Sequence, residues 1–201
     1  KGVMQQLFTQ AIRFKDDQGN DFPDWEEKKL GELCITITKG TTPTSIGHAY
    51  QDTGINFIKT ENINKTGFID VDSTPKISDD CHSELDRSSL NEGDVLFSIA
   101  GTLGRTAIVQ SKDLPANTNQ ALGIIRLKDK RQNVFITHCL NTAKMEDWVR
   151  KMVSVGAQPN LSLTQLNSIR IPFPCSTEQT KIADFLSAID RKIESVATQI
   201  T

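Results

Sequence analysis

One tyrosine, three histidines and four cysteines stand among 201 residues. The cysteines, at positions 34, 81, 139 and 175, include no CxxC pair. Spacing this wide argues against a compact zinc knuckle, and a chain of this length needs no disulfide staples. That usage fits a reducing, cytoplasmic setting. No apolar run approaches the roughly 20 residues needed to cross a bilayer, so no membrane partner is expected. The opening residues KGVMQQLFTQ lack the apolar core of a signal peptide. The chain starts at Lys1 and stops inside a helical pattern, which reads as a piece of something longer. Lysine and arginine total 23 against 25 aspartates and glutamates, a net charge of −2. A uniformly basic nucleic-acid coat is thereby excluded, though a local patch is not.

The near-neutral total conceals an asymmetry. Residues 61–94 hold nine acids and three bases, whereas residues 95–151 hold nine bases and four acids. Such a division would give one face a phosphate-friendly field, although ordinary solvated surface has the same composition.

Length suits one domain with a real core. Met4, Leu7, Phe8 and Ala11 predict a helix over 1–12, ended by the polar cluster from Asp16 to Asp21. Short apolar, β-branched runs predict strands at 33–38, 55–59, 68–71, 95–99, 106–109 and 122–127. Gly67, Gly93, Gly101, Gly104 and Gly123 punctuate them, which suggests a curled β-rich body rather than a βαβ array. A helix is predicted over 135–152, with Gly156 and Pro159 as terminators. A shorter one is marked by Leu163 and Leu166, before an extended 169–174.

The last segment carries the clearest periodicity. Ser176 and Gln179 have the spacing of a capping box. Ile182, Leu186, Ile189, Ile193, Val196 and Ile200 then recur in alternating steps of four and three. That is an a/d seam, which calls for another helix against it. A helix of this length extends roughly 35 Å, too far for one small body to cover easily. The alternative is a terminal helix lying on its own domain. Antiparallel pairing with residues 1–12 is the arrangement the two ends suggest.

Catalytic chemistry finds little footing. His48, His82 and His138 lack a neighbouring nucleophile in a recognisable setting. Cys81, His82, Glu84 and Asp86 read as a solvated acidic turn rather than a metal cluster. The run GTLGRT from Gly101 lacks the GxxxxGK[ST] order of a phosphate loop. No cofactor is implied. Polar side chains in turns do accumulate: Thr41, Thr42, Lys59, Thr60, Ser98, Thr102 and Arg105, followed by Asn117, Asn119, Gln120, Gln158 and Asn160. Asn and Gln pair bidentately with adenine, and Arg or Lys with guanine, while hydroxyls more often hold phosphates. Each taken singly is an ordinary turn former. As a set beside the basic stretch 95–151, with Arg105 and Lys59 foremost, they make nucleic acid a reasonable partner.

Four stretches then give a family resemblance: DFPDWEEKKLGELCITITKGTTP (21–43), GDVLFSIAGTLGRTAIV (93–109), GAQPNLSLTQLNSIRIPFP (156–174) and EQTKIADFLSAIDRKI (178–193). In this order they resemble half of a type I restriction-modification specificity subunit. The resemblance implies an α+β fold, with a β-rich curled target-recognition domain and short helices. Flanking helical segments would form an antiparallel coiled-coil-like spacer. Residues 1–15 would end a central spacer helix, 16–175 form the recognition domain, and 176–201 begin a distal spacer helix. It further implies a non-catalytic subunit reading one half of a bipartite target. Its helices would dock modification (methyltransferase) subunits and, through them, restriction subunits. One such domain cannot read both halves of a split site, so self-association through the helices is a further expectation. A purely architectural docking module without base readout is the competing reading.

Overall fold

The computed structural model describes residues 2–153 and 160–200, the side chains of residue 194 and residues 197–200 excepted. The architecture is α+β. The helices are α1 (Gly2–Phe8), α2 (Leu30–Leu33), α3 (Asp79–Glu84), α4 (Asn133–Leu140), α5 (Ala143–Val153), α6 (Leu163–Ser168) and α7 (Ser176–Ile200). The strands are β1 (Glu26–Lys29), β2 (Cys34–Lys39), β3 (Ile55–Ile58), β4 (Lys76–Ile77) and β5 (Val95–Ser98). They continue with β6 (Thr106–Ile108), β7 (Ala116–Thr118), β8 (Leu122–Leu127) and β9 (Arg170–Phe173).

An antiparallel sheet of order β2-β8-β5-β6 forms the centre. Side chains alternate across it, so Val95, Phe97, Ile125 and Leu127 face one core. That core also contains Phe135 and Ile136 of α4, and Ile182, Ala183 and Leu186 of α7. Leu96, Leu122 and Ile124 point the other way, into a second core with Ile58, Ile63 and Ala116. Because both faces are covered, β5 and β8 read as nearly continuous apolar runs rather than alternating ones. The second core leads to a smaller sheet of order β4-β3-β7, in which β3 and β7 run parallel.

Several predicted elements change form. Residues 68–71 make no strand beyond an isolated Ile63–Ile69 bridge. Asn64 instead closes a tight turn, its Oδ1 accepting from the amides of Thr66 and Phe68, with Gly67 at φ +85°. The helix expected over 135–152 is two helices. The Asn141 amide ends α4 on Thr137 and His138 carbonyls, and the Thr142 hydroxyl accepts from the Met145 amide to start α5. The Gly156 and Pro159 terminators lie outside the described residues. Strand β1, with sequence EEKK, has no apolar signature and owes its form to pairing with β9, Glu26 opposite Phe173. Helix α1 stops at Phe8, and Gln10 turns away at φ 58°.

Helix α7 begins at Ser176 but without the expected capping box. The Gln179 side chain donates instead to the Pro174 carbonyl, at 2.8 Å. Its seam is divided. Ile182 and Leu186 are buried and Ile189 is half-buried, whereas Ile193 and Val196 are 58% and 48% exposed. The Ile200 side chain lies outside the described residues. Packing on α4 and Phe14 against Phe185 cover the first half. Helix α1, about 10 Å long at 1.5 Å per residue, cannot line the whole seam. An antiparallel spacer along its full length requires helix from beyond these residues.

Candidate nucleic-acid interface

Strand directions decide where the polar turns go. Strands β2 and β5 end, and β6 and β8 begin, at one end of the central sheet; β3 and β7 deliver Ile58 and Thr118 to the same end. The loops 40–47, 59–62, 99–105 and 119–121 therefore share one rim. Asn160 joins them, because the Leu161 amide donates to the Ile99 carbonyl at 2.8 Å. Every sequence candidate among the described residues lies on or just beneath this rim; Gln158 lies outside them.

Depth separates those candidates. Ser98 and Asn117 are fully buried, and Thr60 nearly so. The Ser98 hydroxyl donates to the Thr102 carbonyl at 2.6 Å and accepts from the Arg105 amide at 2.7 Å, which closes the β5–β6 turn. Asn117 donates to the Leu85 carbonyl at 3.0 Å, while its Oδ1 meets His82 Nδ1. The Asn119 side chain accepts from the Ala121 amide at 3.0 Å. These groups are occupied in holding loops. Arg105 is half-buried, and its Nη1 donates to the carbonyls of Ile63 at 2.7 Å and Thr60 at 3.2 Å, tying the two sheets together. Lys59 lays its ammonium 4.6 Å above the Tyr50 ring. Thr102, Gln120 and Asn160 are exposed, and Thr41 and Thr42 are half-buried.

Arg87 was hidden within the acidic stretch of the sequence. It is exposed and donates from Nη2 to Thr41 Oγ1 at 2.9 Å. Only the 3-10 turn Asp86–Ser88, held by Asn117 against Leu85 and Ser88, brings it to the rim. The basic stretch 95–151, by contrast, does not collect into one patch. Strand β8 crosses from the rim to the opposite end, so Lys128, Lys130 and Arg131 follow it there. Arg126 pairs with buried Asp94 at 2.7 Å, Arg131 with Asp129 at 2.8 Å and Arg150 with Asp147 at 2.5 Å. The Asp94 hydrogen bond holds the Arg126 pKa above its ordinary value. Asp94 also accepts from the Asn91 amide, a structural role for the Gly93-Asp94 pair.

At the opposite end, Glu178 anchors α7. Its fully buried carboxylate accepts from Arg13 Nε and Nη2 at 3.1 and 2.8 Å, and from Trp25 Nε1 at 2.9 Å. Among the described residues, no group of three or more His, Cys, Asp or Glu side chains is placed to hold a metal ion. No described helix is long and apolar enough to cross a membrane.

The chain thus presents a β-rich body with a polar rim at one end and a helix anchored at the other. The family described as "Type I restriction modification DNA specificity domain" matches residues 23–201, and the chain belongs to that family. It is 25% identical over 194 residues to the type I restriction enzyme MjaIX specificity subunit of Methanocaldococcus jannaschii, covering 96% of this chain and 44% of that protein. Against the EcoBI specificity subunit of Escherichia coli it is 27% identical over 183 residues, 88% of this chain and 37% of that protein. The chain thus spans less than half the length of these relatives. The crystal structure of the HsdS subunit from Thermoanaerobacter tengcongensis shares the fold, with a TM-score of 0.66 at 20% identity, over 99% of this chain and 45% of that one.

Proposed function

We propose that this chain reads one half of a bipartite double-stranded DNA target within a type I restriction-modification complex, without catalysis of its own. In this reading, residues 16–175 form the recognition domain, while 1–15 and 176–201 belong to spacer helices. Those helices dock modification subunits and, through them, restriction subunits, in the cytoplasm. The observation that carries the proposal is the convergence of five separated loop segments on one rim, with Arg, Gln, Asn and Thr side chains at its surface. These are the residue types that read base edges and hold phosphates. Family membership supports it independently.

The experiment is an exchange. Residues 16–175 are replaced by the corresponding body of a relative in an assembled complex, and modified bases are mapped genome-wide. The expected result is a changed half-target with the spacer unaltered. An unchanged target would overturn base readout and favour the architectural alternative. The exposed Ile193 and Val196 favour a second element of the proposal, self-association through α7. Sedimentation at micromolar protein tests it, and a strictly monomeric result counts against it.

A further inference from the structure

We infer that Arg87 and Gln120 form an adjacent base-reading pair, Arg87 for a guanine and Gln120 for a nearby adenine, each aimed by a threonine hydroxyl. The inference rests on the DNA-reading assignment and goes further, to particular side chains and base types. Three segments distant in sequence meet here. Arg87 Nη2 donates to Thr41 Oγ1 at 2.9 Å, and the Thr42 hydroxyl contacts Gln120 Oε1. Thr41 and Thr42 are consecutive, and consecutive Cα atoms lie about 3.8 Å apart. Their two partners, Arg87 and Gln120, are therefore held against neighbouring positions of one loop.

The hydrogen-bond inventory leaves both side chains free to read. Thr41 occupies one of the five guanidinium N–H groups, and among the described residues no carboxylate pairs with Arg87. Its fork remains open to guanine O6 and N7. With the Thr42 hydroxyl donating, Gln120 Oε1 keeps a second lone pair and Nε2 keeps both hydrogens. That is the acceptor–donor set adenine N6 and N7 require. Both side chains are exposed, while their supports are not. Buried Asn117 holds the turn bearing Arg87, through Leu85 and Ser88.

Pro43 is buried, and the Ser45 hydroxyl ties back to the Thr42 carbonyl at 2.6 Å. Gly40 lets the two loops touch: a Cβ there would stand 1.9 Å from the Thr118 carbonyl oxygen and 2.5 Å from that of Asn119. The Thr41 amide donates to the same Thr118 oxygen at 3.2 Å. Preorganisation of this kind lowers the ordering cost that exposed Arg and Gln side chains otherwise incur on binding.

The test selects bound duplexes from a randomised library, using the assembled modification complex containing this chain, its Arg87→Lys variant and its Gln120→Ala variant. Arg87→Lys keeps the charge but loses the fork. Its expected effect is roughly tenfold weaker discrimination at one G·C position, with the salt dependence of non-specific binding unchanged. Gln120→Ala should relax one A·T position, one or two steps away, by a similar factor. Thr41→Val and Thr42→Val should relax the same two positions to a smaller degree. A wild-type motif that survives both principal substitutions overturns the pair and leaves the DNA-reading assignment standing. A wild-type complex that enriches no sequence overturns both.

Discussion

Arg13 grips Glu178 with two parallel hydrogen bonds, Nε to Oε1 at 3.1 Å and Nη2 to Oε2 at 2.8 Å, across 165 positions of sequence. The carboxylate is fully buried and the guanidinium largely so. The same guanidinium donates to the Pro23 carbonyl at 2.7 Å, and the hydrogen bond to Glu178 raises the Arg13 pKa. One ion pair thus locks the segment after α1, the loop before β1 and the root of α7 together. Breaking a buried pair costs more than its net worth, because the remaining charge is stranded. Arg13→Ala should therefore lower unfolding free energy by about 3 kcal/mol. Urea denaturation reads this directly, and a loss below about 1 kcal/mol would contradict the anchoring role.

The divided seam of α7 predicts opposite consequences for two similar changes. Leu186 is 4% exposed within the main core, so Leu186→Ala should cost about 2–5 kcal/mol. Ile193 is 58% exposed, so Ile193→Ala should stay within about 0.5 kcal/mol of the parent. Thermal unfolding of both variants checks the contrast; equal losses would mean that the distal seam is covered by the chain itself.

Thiol chemistry should report the fold. Cys34, Cys81 and Cys139 are buried, whereas Cys175 is exposed just before α7. Burial pushes the Cys34 thiol up to about 12 and raises those of Cys81 and Cys139 as well. The thiolate is the reactive form. A disulfide reagent at neutral pH should therefore titrate one thiol rapidly, and the other three only after denaturation. Cys175→Ser should abolish the fast phase.

His138 supplies a pH dependence. Burial on α4 lowers its pKa, opposed by the charge of Asp190. The unfolded chain then binds a proton that the folded chain refuses, in the window below the ordinary value of about 6.5. The stability contributed by neutral His138 is complete above that pH and declines as pH falls through it. His138→Gln should flatten the difference in unfolding free energy between about pH 5 and pH 6.5. Parallel profiles for parent and variant would remove His138 as the source.

Strands β5 and β8 were legible in the sequence because their apolar runs are strong enough to report burial on both faces. Helix α6 was equally legible from Leu163 and Leu166. Strand β1 was not, since nothing in Glu-Glu-Lys-Lys signals a strand without the β9 backbone beside it. Residue type singled out Thr41, Thr42 and Gln120, which the fold places on the rim, but it could not show Ser98 and Asn117 turned inward. Arg87 carries no such signal, because it lies in an acidic block of sequence and the strands carry the residues of such blocks to opposite ends of a sheet.

Local pattern alone set the central strands β5 and β8, helix α6 and which stripe of α7 is apolar, since those follow from side-chain period and backbone preference within a few residues. Long-range packing settled which half of that stripe is buried, which polar side chains reach the rim, and which carboxylate receives Arg13. Each of these depends on what another part of the chain places opposite a residue, and neighbouring residues carry no record of that partner.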